Sequence, residues 1–160
     1  MGYRNEWWNA ERVARAHALG LTPVEVATVA SIVEEETAKA DERGKVARLY
    51  INRLRKGMRL QADPTVKFAS RRFDLRRIAG DVLKTDSPYN TYMVQGLPPG
   101  PIRVASKSAI EAVLDAPEHD YIYMCAKNDF SGYHDFAVDY ATHQANARRY
   151  QAELNKRNIH

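Results

Sequence analysis

The chain has 160 residues, 44% of them hydrophobic and 28% charged, which is enough for one compact core. No apolar run approaches the ~20 residues that span a bilayer and no signal peptide is visible, so the chain itself is expected to be soluble. Its single cysteine, Cys125, excludes an intrachain disulfide, while a net charge of +4 fits an anionic partner such as nucleic acid, a membrane surface or a cell-wall polymer.

Residues 9–19 read as a short helix stopped by Gly20, with Trp7 and Trp8 before it to anchor the segment or to pack on an upstream region. Thr22 is a good N-cap, Pro23 suits the first helical position, and Glu25 completes a capping box. The phase of the helix that follows is therefore calculable. At roughly 100° per residue, Val26, Val29, Ala30 and Val33 form one apolar stripe, Glu35 points away, and Glu34 and Glu36 flank it. A helical side chain leans over the preceding turn, so Glu36 lies on Ile32 and Val33, whereas Glu34 lies on Ala30 and Ser31. Only Glu36 meets a bulky apolar wall, and such burial raises a carboxyl pKa toward the range a general acid needs. The plain alternative is an acidic helix face with one Glu half buried by accident. This helix is expected to end near Ala40.

Asp41 is placed to cap a second helix through Val46, Leu49, Tyr50 and Leu54, with Gly57 as its stop. Residues 59–104 lack periodicity and hold five of the seven prolines, so they read as a binding surface with one short helix near Leu75 to Ala79. Ser106 caps a further helix ending before Pro117. Residues 121–126 and 133–137 read as a hairpin, with Cys125 as an inert thiol, and a final basic helix runs from about Tyr140 to Asn155. Helices, a hairpin and a looped middle argue a single α+β domain.

Several constellations in the middle of the chain can carry chemistry. Gln61-Ala62-Asp63-Pro64-Thr65 joins an amide, a carboxylate and a hydroxyl, with Asp63 pushed to an extended conformation by the proline, or else forms an ordinary Asx turn. Asp86-Ser87-Pro88-Tyr89-Asn90-Thr91-Tyr92 interleaves polar donors with aromatic faces, a mixture suited to sugar rings, and equally an ordinary polar loop. Gly96-Leu97-Pro98-Pro99-Gly100-Pro101-Ile102, stiffened by Pro98 and Pro99 and poor in backbone donors, holds its shape as a groove wall or serves only stability. The basic cluster Arg71, Arg72, Arg76 and Arg77 with Phe73 lacks any helix-turn-helix, zinc-finger or RNP signature and is read as a solvated face, so no nucleic-acid partner is expected. The five histidines show no metal-ligand spacing, and neither a metal nor a cofactor is expected.

Taken in order, Ala30-Ser31-Ile32-Val33-Glu34-Glu35-Glu36-Thr37, Ile51-Asn52-Arg53-Leu54, Gly57-Met58-Arg59-Leu60-Gln61, Asp63-Pro64-Thr65, Tyr89-Asn90-Thr91-Tyr92 and Gly96-Leu97-Pro98-Pro99-Gly100 resemble the endolytic murein transglycosylases (the MltG or YceG-like family). The resemblance runs from about Thr22 to the C-terminus. It implies residues 22–160 as a catalytic domain after an N-terminal linker and helix in residues 1–21. It implies a lytic transglycosylase that cleaves peptidoglycan glycan strands with one glutamate, the one directly before threonine, Glu36. The substrate-binding residues expected around it are Asn52, Gln61, Asp63, Thr65, Tyr89, Asn90, Thr91, Tyr92, Pro98 and Pro99. The resemblance also implies action at the periplasmic face of the bacterial inner membrane, alongside cell-wall synthesis enzymes, with any membrane attachment through an N-terminal anchor missing from this sequence. Near the C-terminus the resemblance leads to a His-Asn pair, where this chain has His143-Gln144, so His143 is given no role. A non-catalytic peptidoglycan-binding module is the rival reading.

Overall fold

The computed structural model describes residues 7–71 and 80–157. Among them are six α-helices and one two-stranded sheet: α1 (Ala10–Ala18), α2 (Pro23–Glu36), α3 (Arg43–Arg55), α4 (Asp63–Ser70), α5 (Lys107–Leu114), β1 (Tyr123–Ala126), β2 (His134–Ala137) and α6 (Tyr140–Lys156). Short 3-10 turns occupy Ala40–Glu42 and Gly80–Lys84. The fold is α+β. The helix expected near Leu75 to Ala79, most of the basic cluster (Arg72, Phe73, Arg76, Arg77) and His160 lie outside the described residues.

Central to the fold is α2. Its capping box forms, with Thr22 Oγ1 accepting from Glu25 N at 3.2 Å and Glu25 Oε1 accepting from Thr22 N at 2.9 Å. Instead of one buried stripe, every residue from Val26 to Val33 is buried. A helix that is apolar all round belongs inside a core, and small Ala27, Ala30 and Ser31 let neighbouring elements approach it. The buried hydroxyls bond locally: Thr28 Oγ1 donates to Val24 O at 2.8 Å and Ser31 Oγ to Thr28 O at 2.7 Å, so neither leaves an unmet polar group. Around α2 pack α3, α4 and α5, while α6 covers the hairpin. Val46, Leu49, Tyr50 and Ile51 of α3 and Ala109, Ile110 and Val113 of α5 complete the core. Trp7 and Trp8, in an edge-to-face pair with centroids 5.3 Å apart, pack against it from the N-terminal side.

Two boundaries differ from the sequence reading. The helix bearing Glu36 stops at Glu36, four residues early, because Thr37 turns to an extended conformation and its hydroxyl engages Glu42 and the Lys39 amide. Asp41 does not cap α3. Its carboxylate accepts from the Tyr133 hydroxyl, 3.0 Å from each oxygen, and α3 starts without a side-chain cap. Gly57, at φ +71°, follows α3 as expected of a stop. Asp63 and Pro64 are not extended: they open α4, where a proline in the first turn forfeits no hydrogen bond. Strands β1 and β2 are antiparallel, with Tyr123 opposite Ala137 and Ala126 opposite His134.

Candidate active site

The three consecutive glutamates of α2 have three different environments. Glu34 Oε1 accepts from Ser106 N at 3.0 Å, helping to seat the start of α5. Burial pulls Glu34 upward, but its bonds to Ser106 and the charges of Arg103 and Arg43 outweigh this and leave it below the ordinary carboxyl value. Glu35 is exposed and pairs with Arg103 at 3.3 Å. Glu36 stands on Ile32 and Val33, both fully buried, and is itself half-buried, with its carboxyl facing a groove but ringed by protein. That burial pushes its pKa up to about 8, helped by the negative charges of Asp63 and Glu42 and opposed by Lys67 and a hydrogen bond from Tyr50. Its place in the last turn of α2 works in the same direction, because the helix C-terminus disfavours an anion.

Asp63 reaches the same place from α4. Tyr92 donates to Asp63 Oδ1 at 2.6 Å, and Tyr92 is held well above the ordinary phenol value by burial and by this bond, so it stays a donor. Burial, then the charges of Glu36 and Asp63, raise Tyr50 likewise. Beneath Asp63 the loop is tied internally: Thr65 Oγ1 lies 2.8 Å from Thr91 Oγ1 and donates to Ala62 O at 2.7 Å, and Ala62 N donates to Thr91 Oγ1 at 2.9 Å. Asn90 Nδ2 donates to Leu83 O and Thr85 O at 3.0 and 2.8 Å, bracing the next turn. Gln61, a non-glycine residue at φ +50°, sits in the left-handed region two residues before Asp63, the kind of local strain found at functional sites.

Two cavities meet at Glu36 and Asp63. The smaller, about 370 Å³, is walled by Glu35, Pro64, Lys67, Phe68 and Ile102. The larger, about 650 Å³, runs past Tyr50, Arg53, Gln61 and Tyr92 to the hairpin and α6, where His134, His143 and Tyr150 close it. Together they form a groove that meets at the Glu36 carboxyl.

Of the expected site residues, Glu36, Gln61, Asp63 and Tyr92 line this groove. Thr65, Asn90 and Thr91 are fully buried beneath it. Tyr89 packs on the cavity residue Phe68, centroids 4.9 Å apart. Pro98 is buried and Pro99 exposed, and the wall on that side is Ile102, whose N donates to Ser31 Oγ at 3.1 Å. Asn52 donates to the carbonyls of His119 and Tyr121 at 2.8 and 3.0 Å, joining α3 to the strand entry.

The site also has members that the sequence reading did not single out. Lys67 lies one turn beyond Asp63 on α4, a signal available only once that helix is recognised. Arg53 donates to Ile122 O and Arg59 O, both at 2.7 Å, and bridges α3 to the entry of β1. Tyr50 and His134 line the larger cavity from distant segments, as does His143, to which the sequence reading gave no role. Cys125 borders the larger cavity, and burial, then Asp135, pushes its thiol up, away from a nucleophile. Among the described residues no group of three or more His, Cys, Asp and Glu is placed to hold a metal ion.

A model of the YceG-like family matches residues 2–149. The chain belongs to the YceG-like family. A protein of Bacillus subtilis (strain 168) named endolytic murein transglycosylase is 46% identical over 102 residues, 64% of this chain and 28% of that protein. A protein of the same name from Streptococcus pneumoniae (strain D39) is 37% identical over 110 residues, 66% of this chain and 20% of that one. The crystal structure of a YceG-like protein from Listeria monocytogenes superposes with a TM-score of 0.75 at 34% identity, covering 85% of this chain and 44% of that one. This YceG-like chain thus spans less than half the length of each of these relatives.

Proposed function

We infer that residues 22–160 form the catalytic domain of an endolytic lytic transglycosylase acting on peptidoglycan glycan strands. The observation that carries this reading is the Glu36 carboxyl, its pKa raised to about 8, set beside Asp63 where two cavities join. Two cavities that share the acid offer room for sugar units flanking the cut bond, which suits cleavage inside a strand. The relatives' name, endolytic murein transglycosylase, supports the substrate and the reaction class.

Glu36 donates its proton to the oxygen linking N-acetylmuramic acid (MurNAc) to N-acetylglucosamine (GlcNAc), and the MurNAc C1–oxygen bond breaks. The glutamate carboxylate then takes the proton of the MurNAc C6 hydroxyl as that oxygen bonds to C1. The products are a GlcNAc hydroxyl end and a 1,6-anhydro-MurNAc end, with Glu36 reprotonated and no water consumed. Two-carboxyl glycosidases need a base or nucleophile beside the acid; here the substrate supplies its own nucleophile, and proximity makes the displacement intramolecular. Asp63, its charge held toward the groove by Tyr92, faces the positive charge that develops at C1. Trimming or terminating nascent strands at the periplasmic face of the inner membrane is the role that fits this chemistry. No single helix among the described residues is long and apolar enough to cross a membrane.

The test is digestion of long soluble glycan strands with the wild type and with Glu36→Gln, followed by chain-length analysis and a strand-binding assay. Mid-length fragments from the wild type alone, with binding retained by the variant, support the reading. Equal cleavage by both would mean that the acid lies elsewhere, and binding without cleavage by either would favour a binding module.

A further inference from the structure

Glu42 is a buried carboxylate whose charge helps raise Glu36 but which the mechanism above uses neither as acid nor as base. It is 5% exposed, and burying such a group is costly unless several donors surround it. Three do. His134 N donates to Oε1 at 2.7 Å, while His134 Nδ1 and Thr37 Oγ1 each lie 3.2 Å from Oε2. These partners belong to the two elements that meet at the groove. Thr37 is the residue after Glu36 and ends α2, its N bonded to Val33 O at 3.1 Å. His134 opens β2 and faces the larger cavity, opposite Ala126 of β1. Neighbouring contacts strengthen the same junction: Asp41 takes the Tyr133 hydroxyl, and Lys39 lies 5.3 Å over the Tyr133 ring.

We propose that Glu42 is a positioning residue for Glu36, clamping the end of the acid-bearing helix to the hairpin that walls the larger cavity. The proposal rests on the reading of Glu36 as the catalytic acid. A helix end is where a side chain swings most freely, and an acid must stay within hydrogen-bond reach of the oxygen it protonates. Glu42 fixes that end through Thr37 and fixes the opposite wall through His134, so one side chain sets both the direction of the carboxyl and the width of the groove beside it. It also places a negative charge near Glu36. The other groups facing Glu36 are Asp63 and Lys67 of α4, Tyr50 of α3 and Tyr92, and Arg53, His134 and His143 line the same cavity.

The experiment compares wild type, Glu36→Gln, Glu42→Gln and Thr37→Val on soluble glycan strands between pH 5 and 9. Glu42→Gln keeps the shape and removes the charge. It is expected to lower kcat about tenfold or more with KM little changed, as a misdirected catalytic group does. It should also move the alkaline fall in activity to lower pH, since the Glu42 charge helps hold the Glu36 proton. Thr37→Val removes one arm of the clamp without altering charge, so kcat should fall while the alkaline limb stays in place. Wild-type kcat and an unmoved limb in Glu42→Gln would overturn the proposal, as would a loss that only follows lowered melting temperature. If Glu42→Gln fails to fold, Thr37→Val decides, and wild-type kcat in that variant overturns the proposal. A fully active Glu36→Gln would instead remove the underlying reading of the acid, whatever the other variants do.

Discussion

Replacing Glu36 by Gln should make the protein more stable, by an amount that grows with pH. The fold holds the Glu36 proton until about pH 8, whereas an unfolded chain releases it near the ordinary value of 4.5. The sign follows from linkage: a carboxyl raised in the folded state contributes its full stability below the unfolded value and loses it as pH climbs through 4.5 toward 8. Each unit of separation is worth about 1.4 kcal/mol, so the ionisation penalty is about 1 kcal/mol at pH 5, about 3 at pH 7 and about 5 at pH 9. These are ceilings, because the carboxyl lines an open groove where solvent offsets part of the burial; a gap of about 1–3 kcal/mol at pH 7 is expected. Gln has nearly the same shape, keeps an oxygen for the Tyr50 hydroxyl and ionises at no pH, so the difference isolates the titration. Urea unfolding of both proteins at pH 5, 7 and 9 measures it. A gap that widens with pH supports the raised carboxyl. A constant gap, or one that narrows with pH, refutes the claim that Glu36 is protonated near neutrality.

The charges around Glu36 give a matched pair of expectations. Asp63→Asn removes a charge that raises Glu36, so the alkaline limb of the activity profile should move to lower pH, whereas Lys67→Met removes one that lowers it and should move the limb to higher pH. Limbs that shift in the same direction, or not at all, would show that these groups do not act on the acid electrostatically. Ile32→Ala deletes buried volume in the wall under Glu36 and should cost about 3 kcal/mol in denaturant unfolding. The same change admits water beneath the carboxyl, so the alkaline limb should also fall to lower pH; stability loss with an unmoved limb would show that the apolar wall does not hold the proton.

Local chemistry made some of this legible in advance. The Thr22–Glu25 capping box set the start of α2, and helix phase singled out Glu36 because Ile32 and Val33 lie one turn back. The two strand-like runs at 121–126 and 133–137 marked the hairpin, and Ser106 and Gly57 marked a helix start and a helix stop. Other features follow from distant contacts and were not legible. The end of α2 depends on Glu42 taking the Thr37 hydroxyl, and Glu42 in turn depends on His134, 92 residues away. Asp41 is drawn from its expected cap by Tyr133, another long-range partner. The short helix α4 escaped notice because Asp-Pro favours an extended reading and eight residues offer little periodicity; Lys67 was lost with it. Tyr50 read only as an apolar position on α3, since nothing local says that its hydroxyl reaches a carboxyl fourteen residues earlier.

The most direct test of the account is mass spectrometry of glycan strands cut in heavy-oxygen water by the wild type and by Glu36→Gln. An intramolecular displacement driven by Glu36 predicts 1,6-anhydro-MurNAc ends without the heavy isotope from the wild type, and no new ends from the variant. Reducing ends carrying the heavy isotope would mean that water is the nucleophile, and anhydro ends from Glu36→Gln would mean that the acid lies elsewhere.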